Sequence, residues 1–298
     1  MAETGAGAGA GAAAAAAVAV EREDFEGRLA LLWQGLRAYV LITAMWVRST
    51  LAYRTSFVMM AIGNLLVSGL EFASIAIMFS HVGVLGGFTL PEVAFLYGTT
   101  GAAFGITELL MGSTQRLGAR VRDGTLDTLL VRPVPVLAQV AADRFALRRV
   151  GRIVQSLAVL GWSLTLVEVD WTLWRVALVA VMVPSGAAIF GALLVAGAAF
   201  QFWALDAAEV QNAFTYGGNT LLQYPPTVFA GELVRGVTFV VPLAFVNWLP
   251  ALRVLGRDDP LGLPGWADFA SPAVALVCCA LAGLAWRAGL RGYRSTGS

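Results

Sequence analysis

From residue 55 onward the chain is a series of long apolar runs separated by short charged breaks. Residues 55–80 lie between Arg54 and His81 with Glu71 as their one charge, and residues 93–115 lie between Glu92 and Arg116 with only Glu108 inside. Further runs cover 147–167, 176–200, 207–224 and 269–287. An α-helix needs about 20 apolar residues to cross the hydrocarbon core of a bilayer. These six runs therefore predict six membrane-crossing helices, although the uncharged part of 147–167 is short.

Two stretches break the pattern. In residues 28–54, Arg28, Arg37, Arg48 and Arg54 punctuate an aromatic-rich sequence whose uncharged stretch from Arg37 to Arg48 is too short to cross. Arg37 and Arg48 return to nearly the same helical face, which suits an amphipathic helix in the membrane interface. An extension of the first span is the alternative. Between Asp206 and Asp268, apolar sequence is interrupted by Gly217-Gly218, Pro225-Pro226, Pro242 and Pro250. Charge decides its path. With six spans, residues 1–54, 113–152 and 287–298 share one side and hold 16 of the 20 arginines. A seventh span moves the three C-terminal ones across. Residues 225–250 are therefore read as a re-entrant helical hairpin on the outer side between spans five and six, and both termini as cytoplasmic. Non-helical backbone at membrane depth must line a cavity or be buried in protein. The Ala/Gly-rich residues 1–27 read as a disordered cytoplasmic tail ahead of one continuous unit, 28–298.

Composition agrees. Hydrophobic residues make up 58% of the chain and charged ones 13%, with a mean hydropathy of +0.74. Soluble domains carry roughly 25% charged residues. The fold class is therefore an all-α integral membrane protein, and a soluble enzyme or a disordered chain is excluded. Every basic residue among the 20 is arginine. Without lysine there is no phosphate-loop nucleotide site and no Schiff-base or Ser–Lys chemistry. The one histidine, His81, and the adjacent Cys278 and Cys279 rule against metal clusters, a protease triad and a disulfide framework. No G-x-S-x-G elbow occurs, and a net charge of +1 offers no general surface for nucleic acid. An enzymatic role is not expected, nor a metal or cofactor held by this chain. No internal repeat is visible, so the inverted-repeat carriers gain no support. Small residues at Ala94/Gly98, Gly101/Gly105 and Ala187/Gly191 predict close helix contacts, within or between chains.

The most informative segment is the cytoplasmic loop 116–135, R-L-G-A-R-V-R-D-G-T-L-D-T-L-L-V-R-P-V-P. Asp123, Gly124 and Thr125 offer a turn and a helix N-cap. Leu126, Leu129 and Leu130 share one face of a short helix that ends at Arg132-Pro133. An exposed leucine face rimmed by charge suits a soluble partner. The other reading tucks the leucines under the membrane interface and leaves the arginines to set topology.

The segment R-D-G-T-L-D-T-L-L-V-R-P resembles the coupling-helix motif of ATP-binding-cassette type-2 (ABC-2) permeases. Three further stretches are similar to the subgroup of permeases resembling viologen exporters: L-A-Y-R-T-S-F, Y-P-P-T-V-F…V-P-L-A-F-V-N-W-L-P-A and W-R-A-G-L-R-G-Y. The resemblance runs from about residue 30 to 296. It implies a six-span half-transporter in a bacterial cell (inner) membrane, paired with a second permease, identical or related, and with two cytoplasmic ABC ATPases that carry the ATP and Mg chemistry. It implies that Arg120, Arg122, Asp123, Gly124, Leu126, Asp127, Leu129, Leu130 and Arg132 dock into the ATPase. It also implies an outer gate at Pro225, Pro226, Glu232, Arg235 and Pro242. Pro226 departs from the apolar residue more usual in the family after Pro225.

Within the spans, Glu71 and Asn64 lie on nearly one face of the first. A carboxylate at that depth costs at least a few kcal/mol unless it is paired or meets water. Glu71, Asn64 and Asn219 are candidates for a substrate pathway that attracts cationic or amphipathic cargo. Neutralisation or a packing hydrogen bond is the alternative for Glu71, and interhelical contact for Asn219 and Asn212. Glu108 suits a structural salt bridge with a loop arginine. Trp162, Trp171, Trp174, Trp248 and Trp266 fit an outer aromatic belt that contacts membrane lipids. The function expected is an exporter permease driven by a partner ATPase. The alternative is a stand-alone secondary carrier with Glu71 as its proton or cation site.

Overall fold

A computed structural model describes residues 30–294 apart from 32, 205 and 206. The expected tail, 1–27, lies outside the described residues. The described chain is helical throughout, with no strand; Leu85 and Phe88 form one isolated bridge in a turn. After a first helix, α1 (33–52), come α2 (Arg54–His81), α3 (Leu90–Met111), α4 (Leu117–Arg122), α5 (Asp127–Leu130), α6 (Val136–Ala142) and α7 (Val150–Leu166). Helices α8 (Leu173–Phe200), α9 (Ala208–Leu222), α10 (Gly231–Arg235), α11 (Trp248–Leu255) and α12 (Ser271–Gly292) complete the chain. Among the described residues four helical stretches are long and apolar enough to cross a membrane: α2, α3 continued to Arg122, α8 and α12. Helix α7, with 17 residues, and α9, with 15, are shorter.

Helix α3 is the central pillar. Its sequence is almost devoid of large polar side chains, and it is buried nearly all round, with Phe95, Leu96 and Phe104 fully enclosed. It starts in a capping box in which the Glu92 carboxylate accepts hydrogen bonds from Thr89 N (2.8 Å) and Thr89 Oγ1 (2.9 Å). Arg257 then grips the same carboxylate through Nε at 2.8 Å and Nη2 at 2.9 Å. Helix α7 runs antiparallel along α3 over a stripe of glycines. A Cβ at Gly98 would lie 2.8 Å from the Leu160 backbone, one at Gly101 2.4 Å from Ser156 Oγ, and one at Gly105 2.9 Å from Ile153. The small residues at 98, 101 and 105 thus serve contacts within the chain. Ser163 closes the far end of this seam by donating to Pro91 O at 2.9 Å.

On its other side α3 meets α8, which also packs along α12. Thr107 Oγ1 donates to Ala187 O at 2.6 Å, and Gly289 of α12 sits against Phe202 and the Ala199 carbonyl just past and within the end of α8. The arginines of 116–149 cluster at one end of this bundle, beside α1, where Tyr39 Oη donates to Leu110 O at 2.9 Å, while Arg152 reaches further in to Glu71.

The chain between α9 and α12 makes an excursion. From Leu222 it climbs to the end opposite the arginines, where Thr227 Oγ1 donates to Gly86 O at 2.6 Å. It passes through α10 and a π-helical turn, Gly236–Val240, then plunges back to Asn247. Asn247 is fully buried. The two hydrogens of its Nδ2 are shared among Leu96 O (3.0 Å), Thr100 Oγ1 (2.5 Å) and Leu222 O (3.0 Å), and its Oδ1 accepts from Thr99 Oγ1 at 3.0 Å. Helix α11 then rises again to Gly256, whose φ of +66° ends it. Trp248 does not join a surface belt. It is 1% exposed, donating from Nε1 to Tyr224 O at 2.9 Å, because α11 is enclosed by α3 and α8.

The glycine seam gives a direct expectation. Gly98→Leu should lower the unfolding midpoint of the purified chain, because overpacking costs about 1–3 kcal/mol or more where backbone blocks the added atoms. Gly63→Leu, on an open face of α2 with no atom within 4 Å, should leave it unchanged.

Candidate functional site

The arginine-rich end carries the segment 116–135. Helix α4 stops at Asp123, and Gly124 turns the chain with a φ of +67°, a conformation glycine adopts without a Cβ penalty. No side chain caps α5. Thr125 Oγ1 instead donates to Arg120 O at 3.4 Å, and Leu126 N to the same carbonyl at 3.2 Å. The expected N-cap is therefore replaced by a backbone turn.

The leucines separate into two groups, which corrects the expectation of one exposed face. Leu126 is fully buried and Leu129 is 7% exposed, packed with Leu117, Val121, Val140, Val195 and Trp286. Leu130 and Val131 point outward, Val131 at 87% exposure, followed by exposed Arg132 and Pro133. The cause is the fold-back of the chain onto α6. Gln139 Nε2 donates to both Leu129 O and Val134 O at 3.0 Å, and Arg120 pairs with Asp143. Tyr293, just beyond α12, donates from Oη to Asp127 Oδ1 at 2.9 Å. Burial and then the Asp127 carboxylate push the Tyr293 hydroxyl upward, so it stays a proton donor. Arg122, Asp123, Thr125 and Thr128 remain on the outside of the loop.

A chain of buried amides ties this loop to the bundle. Gly118 N donates to Gln201 Oε1 (2.6 Å), Gln201 Nε2 to Gln211 Oε1 (2.7 Å), and Gln211 Nε2 to Leu194 O (3.3 Å). Gln139, Gln201 and Gln211 were not singled out by the sequence, and their one signal is an amide standing in an otherwise apolar run. Tyr293 closes the quoted stretch W-R-A-G-L-R-G-Y, but its partner Asp127 was not foreseen.

The second polar region lies between α2, α3, α7 and α9, around a cavity of about 200 Å³ lined by Asn64, Ser68, Glu108, Arg148, Arg149, Arg152 and Tyr216. Asn64, Ser68 and Glu71 recur at helical spacing on α2. They face Arg148, at the entry to α7, and Arg152 and Gln155 on α7. Asn64 Nδ2 donates to Arg148 O at 3.4 Å, Gln155 Nε2 to Ser68 O at 3.0 Å, and Arg152 Nη2 lies 3.9 Å from Glu71 Oε1. Glu71 is therefore ion-paired at the side of the cavity. Glu108 is buried, accepts a hydrogen bond from Tyr216, and has Arg149 Nη2 at 3.8 Å. Arg149 Nη1 also donates to the Glu108 carbonyl at 2.7 Å, across Gly112, where any Cβ would collide with the guanidinium. The structural salt bridge expected for Glu108 is present. Asn219 does not join this cluster: it is buried on α9, with Oδ1 unpartnered among the described residues.

In the excursion, Pro225 and Pro226 are buried while Glu232 and Arg235 are exposed. The structure thus places Asn64 beside Arg148 and Glu71 beside Arg152 on one α2–α7 seam, while Asn219 and Pro242 do not line that cavity.

A family model described as ABC-2 family transporter protein matches residues 65–297. No curated protein and no solved structure shows significant similarity to the chain.

The burial pattern predicts opposite outcomes for neighbouring apolar side chains of the loop. Leu126→Ala should cost about 2–5 kcal/mol, as for other buried leucines. Val131→Ala should stay within about 0.5 kcal/mol. Denaturant unfolding of the two purified variants distinguishes them.

Proposed function

We propose a function from one premise: the chain belongs to the ABC-2 transporter family and is a membrane transport component. On this reading it is the permease subunit of an ATP-driven exporter. It forms a pathway with a second permease, identical or related, and moves small amphipathic or cationic compounds outward. Among the ABC-2 permeases, the viologen-exporter subgroup is the one its motifs resemble.

The observation that carries this reading is the outward-facing tip Leu130-Val131-Arg132-Pro133 at the arginine-rich end. An apolar pair with 87% exposure at Val131, rimmed by Arg122, Asp123 and Arg132, is a compact surface for a soluble partner. Leu126 and Leu129 serve the same contact indirectly. They wedge the tip against α8 and α12, so displacement of the tip by a partner ATPase is carried into the bundle. The amide chain through Gln201 and Gln211 adds a second rigid link to α8 and α9. Nucleotide chemistry belongs to the partner, since a chain without lysine has no phosphate-loop site.

Six crossings remain the best topology. Helix α9 is about 22 Å long, short of the hydrocarbon thickness. The excursion 225–255 completes its path on the far side, reaching Gly86 and returning to Asn247 at the level of Leu96 and Thr100. This is how a re-entrant outer gate would be built, with every buried backbone turn enclosed by protein. The arginine-rich end is then cytoplasmic.

Glu71 supports the dimer. Its side chain is 46% exposed in the middle of α2, and an exposed carboxylate facing lipid is costly. A water-lined space shared with a second permease relieves that cost. Arg152 already pairs with Glu71, so cargo charge is sensed by the pair rather than by a lone carboxylate. The stand-alone carrier has no structural observation in its favour.

The combined variant Leu130→Asp/Val131→Asp should keep the wild-type unfolding midpoint yet lose both ATPase co-purification and transport. Normal transport by that variant ends the coupling assignment. Glu71→Gln should alter transport of cationic cargo severalfold; unchanged kinetics return Glu71 to a structural role.

A further inference from the structure

Four arginines converge on a second cavity at the arginine-rich end. It measures about 310 Å³ and lies where α1 and α2 meet the end of α3 and the entry to α7. Arg116, Arg144, Arg148 and Arg149 line it, and no carboxylate does. Of the four, Arg149 is paired to Glu108. Among the described residues Arg116, Arg144 and Arg148 form no ion pair. Such a cluster of like charges is unfavourable unless an anion occupies it. Guanidinium forks match the paired oxygens of a phosphate, and Ser113 adds a hydroxyl on the same wall.

The opposite wall is apolar. Trp46 of α1 and Phe57 and Met60 of α2 form it, and beside them Met45 and Met59 are exposed, Met59 at 71%. A free phosphate ion uses the arginine wall alone. A molecule with an anionic phosphate and an adjoining hydrocarbon part uses both walls and continues over the exposed flank of α1 and α2. We infer that this cavity binds the phosphate headgroup of one anionic phospholipid of the cytoplasmic leaflet, with its chains lying along α2. Basic pockets between membrane helices at that level bind such headgroups, and Trp46 is the kind of ring that settles there.

Occupancy has a structural consequence. Arg148 and Arg149 line both this cavity and the one that holds Asn64 and Glu108. A bound headgroup therefore fixes the start of α7 and the arginines that face α2. The inference rests on the membrane orientation proposed above but not on cargo or ATPase.

The test uses the full chain in nanodiscs of phosphatidylcholine with a minor fraction of phosphatidylglycerol, and counts lipid retained after detergent extraction by native mass spectrometry. Wild type should retain one phosphatidylglycerol. Arg116→Gln and Arg144→Gln should each weaken retention about tenfold, the loss of a charge-assisted hydrogen bond, and together about a hundredfold. Arg291→Gln, the same charge change at the same end but outside the cavity, should retain it fully. Equal loss in Arg291→Gln overturns the inference in favour of diffuse attraction, as does equal retention of phosphatidylcholine by wild type. Displacement by inorganic phosphate at matched concentration overturns the lipid assignment in favour of a soluble phosphate.

Discussion

A buried amide with no water to turn to must find its hydrogen bonds in protein, and Asn247 finds four. They reach two turns of α3 and the last carbonyl region of α9, at a point about midway along the bundle. Without that anchor the excursion from 225 to 255 has no reason to return to the interior. Its short helices are individually too small to be stable, and only enclosure satisfies their backbone ends. Thr99 and Thr100 would be left with an unfilled polar seam on the most buried helix of the protein. Removing one partner of such a network costs more than the net worth of the bond, because the remaining groups stay desolvated.

The same reasoning organises the rest of the bundle. Helix α3 is close to α7 because three glycines remove the side chains that would separate them; at Gly98 the neighbour is the Leu160 backbone itself, and at Gly101 and Gly105 the side chains of Ser156 and Ile153 fill the space. Polar groups then sit wherever two helices of unequal character meet. Asn64, Ser68 and Glu71 face Arg148, Arg152 and Gln155 between α2 and α7, and Glu108 is held by Arg149 and Tyr216. At the arginine-rich end Gln139 of α6, Gln211 of α9 and Gln201, which caps the end of α8, close the gaps that helix termini leave. The two polar cavities share Arg148 and Arg149, so the entry to α7 belongs to both. The loop that bears the coupling motif is part of the core on one side and bare on the other.

Much of this was legible in the chain. Helices α2, α3, α8 and α12 follow from runs of apolar residues that no water-soluble fold can accommodate, and all-helical structure follows from the need to pair every backbone group inside lipid. The arginine asymmetry marks one end, and Gly98, Gly101 and Gly105 announce a close contact. Periodicity also identified a leucine face in the loop but could not say which way it pointed. Leu126 and Leu130 are both leucine on a short amphipathic turn, yet one is sealed and the other bare, because Gln139 and Arg120 fold the loop onto α6 from residues distant on the same strip.

Tertiary structure alone decided where each polar residue found its partner. Trp248 reads as an interfacial aromatic, and Asn247 beside it received no role of its own from the sequence. Both are buried because the excursion folds back between α3 and α8, a choice made by contacts some 150 residues away along the chain. The sequence by itself determined the medium, the helical class and the polarity of the two ends, since those depend on composition and local period. Partner choice for Glu71, Glu108 and the arginines was decided by packing, since an ion pair depends on which helices become neighbours, and hydropathy carries no record of that.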